Sequence, residues 1–263
     1  MDETWVLLRG LVRESRHWET LPALLKEHRP GARVVTPDLP GNGRHWALRS
    51  PDSVADMVES LRAQLSEQGV PPPWHVMALS LGGMMAVEWL SRYPDELASV
   101  TVINSSAAGF NSFWQRVRPT AWWPVLRLAL LRGDSLARET LILKLTSNMI
   151  GSAERTRLAR CWAGYADERP VSPANAFRQL RAGWRFRAPR QLPPGVPLLL
   201  INGAGDRMVN PICSVTLAAA WHCALRVHPH AGHDLPIDAP RWLVGTLNDW
   251  LPPTAHTPHI PKS

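Results

Sequence analysis

Apolar and polar positions along this chain follow two periods, and the pattern changes character midway. Trp5–Leu8 is a short apolar run that stops at Arg9-Gly10, as a strand buried on both faces would. Residues 15–27 follow with Trp18, Leu21, Leu24 and Leu25 at helical spacing. Residues 32–36 predict a second strand, ending in the turn-rich PDLPGNG. Residues 53–68 predict an amphipathic helix with Val54, Met57, Val58, Leu61 and Leu65 on one face. Residues 73–79 and 98–103 predict two more strands around a helix over 81–92, which Pro94 stops. Strand and helix alternate in this way when a mostly parallel sheet is covered by helices on both faces.

The alternation breaks after residue 106. Residues 107–190 are rich in Trp and Arg, lack strand-like runs, and predict helices over 125–131, 135–146 and 152–166. Beyond Pro193-Pro194 the alternation resumes, with strands over 196–202 and 224–228 and helices over 211–221 and 240–251. The predicted plan is an α/β core built from 1–106 and 191–252, a helical insertion over 107–190, and a proline-rich disordered tail over 253–263. No internal repeat is visible.

Composition narrows the class. The chain has 263 residues, 45% of them hydrophobic, enough for a sizeable core. No uninterrupted apolar segment approaches the roughly 20 residues of a membrane span. The start, MDETWVLL, has neither a basic opening nor a cleavable apolar region, so a cytoplasmic location is expected. Cys161, Cys213 and Cys223 have no CxxC spacing, which fits free thiols. The net charge of +7 is unevenly placed. Residues 111–190 hold fourteen arginines and Lys144 against five acids, whereas the rest holds 14 basic and 17 acidic side chains. The asymmetry fits an anionic partner for the insertion, and equally a compositional bias toward arginine. No nucleic-acid partner is expected. Neither a Gly-x-Gly-x-x-Gly nor a Walker pattern follows a strand.

The chemistry centres on HVMALSLGG, where the third strand ends and a helix begins. Small residues at Ala78 and Gly82 flank Ser80 two places away, as a strained strand-to-helix turn presenting a nucleophile requires. The duller alternative is that Ser80 caps the helix. A serine hydroxyl needs a base, and the base needs a carboxylate to fix its tautomer. Asp206 lies just past one late strand, in NGAGDRMVNP, and His233 just past the next, in HAGHDLPIDAP. The order Ser, Asp, His suits a sheet enzyme of this kind. Asp206 also reads as an ordinary turn former, and His233 as an ordinary loop histidine. His228, His230 and His233 have some ligand-like spacing but lack supporting carboxylates or cysteines, so no metal and no cofactor is expected.

Taken together, these motifs resemble the α/β-hydrolase superfamily over nearly the whole chain. ALSLG resembles its nucleophile elbow, GAGDRMV its acid loop, AGHDLPIDAP its histidine loop, and DLPGNGRH its loop after the second strand. The resemblance implies a triad of Ser80, His233 and Asp206, an oxyanion hole from the backbone N–H groups of Leu81 and Leu11, and a helical lid over 107–190. Two residues depart from the family pattern: Ala78 stands where Gly is usual, and Arg9-Gly10 where His-Gly is usual. Arg9 fits a structural ion pair better than an anionic substrate group, though both are open. Trp114, Trp122 and Trp123 are candidate substrate contacts, while such residues, like Trp162, equally form a lid core. Relatives with Asp at the elbow, the haloalkane dehalogenases and epoxide hydrolases, do not match Ser80. The layout is similar to that of small carboxylesterases and of the methyl esterase acting on a pimeloyl carrier protein. A carboxylic ester, free or on an acidic acyl-carrier protein drawn to the basic lid, is the expected substrate. A lyase, a lactonase or a carbon–carbon bond hydrolase would use the same triad. A binding protein would usually have lost part of it.

Overall fold

The computed structural model describes residues 3–131 and 133–252; the tail expected at 253–263 lies outside them. Six strands form one sheet: β1 (Thr4–Leu8), β2 (Arg33–Val35), β3 (Trp74–Leu79), β4 (Leu97–Ile103), β5 (Leu198–Gly203) and β6 (Ala224–His228). Their spatial order is β2-β1-β3-β4-β5-β6, and every neighbouring pair is parallel. The chain first moves outward from β1 to β2, then returns to lay β3 on the other side of β1. The loops leaving β1 and β3 therefore diverge, opening a crevice at their carboxyl ends, where ligands of open parallel sheets bind.

Helices α1 (Leu21–His28), α2 (Val54–Glu67) and α3 (Leu81–Arg92) connect the first four strands. Between β4 and β5 run α4 (Phe113–Arg116), α5 (Pro119–Leu130), α6 (Ser135–Thr146), α7 (Ser152–Glu168) and α8 (Pro173–Arg185). α9 (Ile212–Trp221), α10 (Leu235–Asp238) and α11 (Pro240–Trp250) complete the chain. Side chains alternate across each strand, so the apolar runs read in the sequence supply two cores at once. Val6, Leu8, Val76 and Ala78 pack with α2 and α3, while Trp5, Leu7, Met77 and Leu79 pack with α1 and α11. A third cluster lies within the insertion, where Leu143, Leu158, Ala159 and Trp162 join α6 to α7.

The short helices α4 and α10 were not expected from the sequence, and three longer elements differ from the expectation. The helix expected over 15–27 is a 3₁₀ turn at Ser15–Trp18 followed by α1 from Leu21. Pro22 has no N–H to continue a helix from its preceding turn, and it sits where a proline is tolerated, in the first turn of a new one. The helix expected from residue 125 begins at Pro119 and carries Pro124 inside it. α8 has no counterpart in the expectation because its pattern is inverted. Its buried positions are Asn175, Gln179, Ala182 and Gly183, while Phe177, Leu180 and Trp184 are exposed. Among the described residues no helix is long and apolar enough to cross a membrane.

Candidate active site

β3 ends at Leu79 and α3 begins at Leu81, so Ser80 alone makes the turn. Its backbone sits at φ 58° and ψ −115°, a region that costs a non-glycine residue about 1–3 kcal/mol. The surroundings hold it there. The Ser80 N–H donates to the Ile103 carbonyl at 2.9 Å, and the Ser105 hydroxyl donates to the Ser80 carbonyl at 2.8 Å. A Cβ at Gly82 would lie 2.3 Å from the Leu8 carbonyl oxygen, so only glycine lets α3 approach β1 this closely. The Ser80 hydroxyl makes no capping bond to its own helix, and capping does not account for the serine.

The loop after β1 turns back over this serine. An added Cβ at Gly10 would be 3.2 Å from the Ser80 Cβ. Val12, at φ 52°, donates its N–H to Gln179 Oε1 at 2.9 Å, and Arg13 donates its N–H to the Gly10 carbonyl at 3.3 Å. Among the described residues neither the Leu11 nor the Leu81 N–H has a protein acceptor. Both residues line the cavity that contains Ser80.

Asp206 follows β5 and His233 follows β6. His233 Nδ1 lies 2.7 Å from Asp206 Oδ2, with both side chains buried. The other carboxylate oxygen accepts the N–H groups of Met208 at 2.7 Å and Val209 at 3.0 Å. An ionised carboxylate only accepts, so Nδ1 carries the proton and Nε2 is left with a free lone pair. Burial alone would lower the pKa of His233; the charge and hydrogen bond of Asp206 outweigh it and raise the pKa above the usual histidine value.

The two neighbouring carboxylates have other work. Asp234 holds Arg9 through paired bonds of 3.0 and 2.7 Å, both side chains being buried, with Trp18 flanking the guanidinium at 4.9 Å. Arg9 thus lines the cavity with each terminal nitrogen bonded to Asp234. Asp238 accepts the N–H groups of Asn148, Met149 and Gly232 and the Ser147 hydroxyl, tying the histidine loop to the end of α6.

Two positioning residues were missed in the sequence. Asn104, at φ 47°, donates to the carbonyls of Gly232 and His233 at 3.1 and 2.7 Å and accepts the Gly203 N–H at 2.9 Å. It fixes both loops to the end of β4. The only signal was a polar run, Asn104-Ser105-Ser106, directly after an apolar strand. Gln179 also donates to Asn42 Oδ1 at 2.7 Å and Ser50 Oγ at 3.0 Å. No sequence signal separates it from a surface glutamine.

The cavity encloses about 290 Å³. Ser80, Leu81, Leu11, Asn104 and His233 line it from the sheet side, and Phe113, Val125, Leu128, Ile142, Leu180 and Trp184 from the insertion. Trp114, Trp122 and Trp123 are not in that lining: Ala121 occupies the buried side of α5, and the tryptophans face outward. Trp162 is fully buried between α6 and α7. The arrangement offers a strained serine, a histidine with a free lone pair, and two N–H groups without acceptors, around one mostly apolar space.

Comparisons with known proteins agree with this architecture. The family model described as alpha/beta hydrolase fold matches residues 6–240. A pimeloyl-[acyl-carrier protein] methyl ester esterase of Chromobacterium violaceum is 26% identical over 229 residues, covering 85% of this chain and 76% of that protein. An AB hydrolase superfamily protein of Gibberella zeae is 29% identical over 140 residues, 52% of this chain; the match spans 45% of that protein, less than half its length. Among solved structures, an enol-lactonase of Burkholderia xenovorans superposes with a TM-score of 0.73 at 20% identity, covering 95% of this chain and 92% of that one, a likeness of fold. This chain belongs to the alpha/beta hydrolase family.

Proposed function

We propose that the protein is a serine hydrolase that cleaves a carboxylic ester through an acyl-enzyme intermediate. The observation that carries this reading is the buried 2.7 Å contact between His233 and Asp206 beside the cavity that also holds Ser80. In the first half-reaction the Ser80 oxygen attacks the ester carbonyl carbon while its proton passes to His233 Nε2. The N–H groups of Leu81 and Leu11 receive the oxyanion. Collapse breaks the bond to the alcohol oxygen, which takes the proton from His233 and departs. In the second half a water gives a proton to His233 and its oxygen to the acyl carbon. The Ser80 oxygen then leaves with that proton, and a carboxylic acid is released. Asp206 holds the imidazole in its working tautomer and stabilises the imidazolium.

The positive excess on 111–190 suits an ester delivered by an anionic partner. The Chromobacterium violaceum relative, named for a carrier-linked ester, supports the same class. The test is turnover of p-nitrophenyl esters of increasing chain length by wild type and Ser80→Ala. Loss of about three orders of magnitude or more in the variant supports the reading; near-normal turnover by Ser80→Ala refutes it.

A further inference from the structure

The insertion exposes an unusual amount of apolar surface. Phe113, Trp114, Trp122, Trp123, Val125 and Leu126 are all exposed on α4 and α5, Trp123 at 65%. On α8, Phe177, Leu180 and Trp184 recur at helical spacing and are 64%, 52% and 55% exposed. The two groups meet, since the Phe113 ring lies 4.7 Å from Trp184, 5.1 Å from Trp114 and 5.7 Å from Trp122. Four of these exposed residues, Phe113, Val125, Leu180 and Trp184, also line the cavity over Ser80. The patch is therefore continuous with the mouth of the site. Scattered exposed apolar residues are ordinary, but a contiguous aromatic patch at a cavity mouth marks an interaction surface.

The two segments that carry it hold charges of one sign, and Arg181 on α8 meets Asp52 from outside them. Residues 113–130 and 173–190, which carry the patch, contain eight arginines and no aspartate or glutamate. Arg127, Arg185, Arg187 and Arg190 are exposed, and among the described residues none is paired with a carboxylate. Tryptophan, phenylalanine and leucine flanked by unpaired arginines match the two layers of a lipid surface: acyl boundary for the rings, anionic headgroups for the guanidiniums. A soluble acidic protein would satisfy the arginines but would need its own apolar face to cover Trp123 and Phe177.

We propose that the α4–α5–α8 face docks on an anionic lipid bilayer, so that the mouth of the cavity opens toward the membrane and the ester is lipid-borne. The docking stands on the surface alone; the lipid-borne ester rests on the serine hydrolase reading above. The test uses the full chain as Ser80→Ala, so that lipid is not consumed, in flotation with phosphatidylcholine vesicles with and without 30% phosphatidylglycerol. Binding is expected to the anionic vesicles and to fall steeply with salt. Trp123→Ala/Phe177→Ala should weaken it at least about tenfold per ring. Arg127→Glu/Arg185→Glu should weaken it about fivefold or more per site. The same two pairs placed in the wild-type chain should leave turnover of a soluble p-nitrophenyl acetate unchanged.

Absence of vesicle binding while p-nitrophenyl acetate is still hydrolysed overturns the docking and leaves the hydrolase reading intact. Vesicle binding by a wild-type chain that hydrolyses no ester does the reverse. Two further results overturn the docking: binding of an acyl-carrier protein with none to vesicles, and a dimer that Trp123→Ala/Phe177→Ala converts to a monomer without any vesicle binding.

Discussion

Replacing Asp206 with asparagine isolates the part that a carboxylate plays in the proposed triad. The fold has little reason to respond, because the two side chains have nearly the same shape. One Asp206 oxygen accepts two backbone N–H groups, from Met208 and Val209 at 2.7 and 3.0 Å. An asparagine keeps both bonds only by turning its carbonyl toward them. Its NH₂ group then faces His233 Nδ1, at the position where Oδ2 stood 2.7 Å away. That nitrogen must become an acceptor, which moves the ring proton to Nε2, the atom that should take the proton of Ser80. The opposite amide orientation restores the tautomer but turns NH₂ against two backbone donors.

The first orientation keeps both backbone bonds and is the one expected, so the base is disabled and a loss of about 10⁴ in kcat follows, near 5.4 kcal/mol at 1.36 kcal/mol per decade. The pH profile provides a second reading. In wild type the Asp206 carboxylate raises the pKa of His233 against the lowering effect of burial. His233 must be neutral to act as base, so kcat/KM should fall on the acid side with a midpoint above the ordinary histidine value. In Asp206→Asn the residual activity should show this midpoint moved down, because burial and Arg9 remain while the carboxylate charge is gone. The linked stability has the same sign. The raised pKa makes protonated His233 stabilising below its unfolded value, and that contribution is lost as pH rises through the folded value. The assay is stopped-flow hydrolysis of p-nitrophenyl butyrate from pH 5 to 9, with circular dichroism as the folding control. A folded Asp206→Asn enzyme within tenfold of wild type, with an unmoved acid limb, would refute the reasoning.

Arg9→Met should cost about 3–5 kcal/mol by stranding buried Asp234, and Arg9→Met/Asp234→Asn should recover part of it; urea unfolding that finds under 1 kcal/mol for the single variant contradicts the pairing. Gln179→Ala removes the acceptor for the Val12 N–H and should lower kcat about tenfold with KM nearly unchanged, through a loosened Leu11 N–H; an unaltered kcat sinks the positioning role. Gly82→Ala places a Cβ against backbone oxygens of Leu8 and Arg9 at 2.3 and 2.9 Å, where no side chain can yield. A loss of about 3 kcal/mol or more in thermal unfolding is expected, and an unchanged Tm would show that the elbow tolerates the methyl.

What could be read without coordinates follows local periodicity. The strands of the core are near-continuous apolar runs because both faces of a parallel sheet are buried, so Trp5–Leu8 and residues 98–103 stood out. The placement of Ser80, Asp206 and His233 at strand ends was legible because each lies in a loop after a strand, with small or turn-forming neighbours. Long-range hydrogen bonds leave no such trace. Gln179 reaches Val12 across 167 positions, and Asn104 reaches His233 across 129. α8 was missed for a different reason. Its apolar stripe points to solvent and its polar face to the protein, so the rule that periodic apolar residues face the core fails. That inversion is what the lipid-docking proposal explains. The tryptophans of α5 were expected as candidate walls of the site. Composition alone does not say which side of a helix faces in, and Ala121 takes that side.

The central claim is that Ser80 is a nucleophile made reactive by its surroundings. Its most direct test is reaction of the folded protein with a fluorophosphonate, followed by intact mass measurement and peptide mapping. One adduct per chain is predicted, on the peptide containing Ser80, with none in Ser80→Ala and a much slower reaction in His233→Ala. An unlabelled wild-type chain, or an adduct that persists in Ser80→Ala on Ser105 or Ser106, would contradict it.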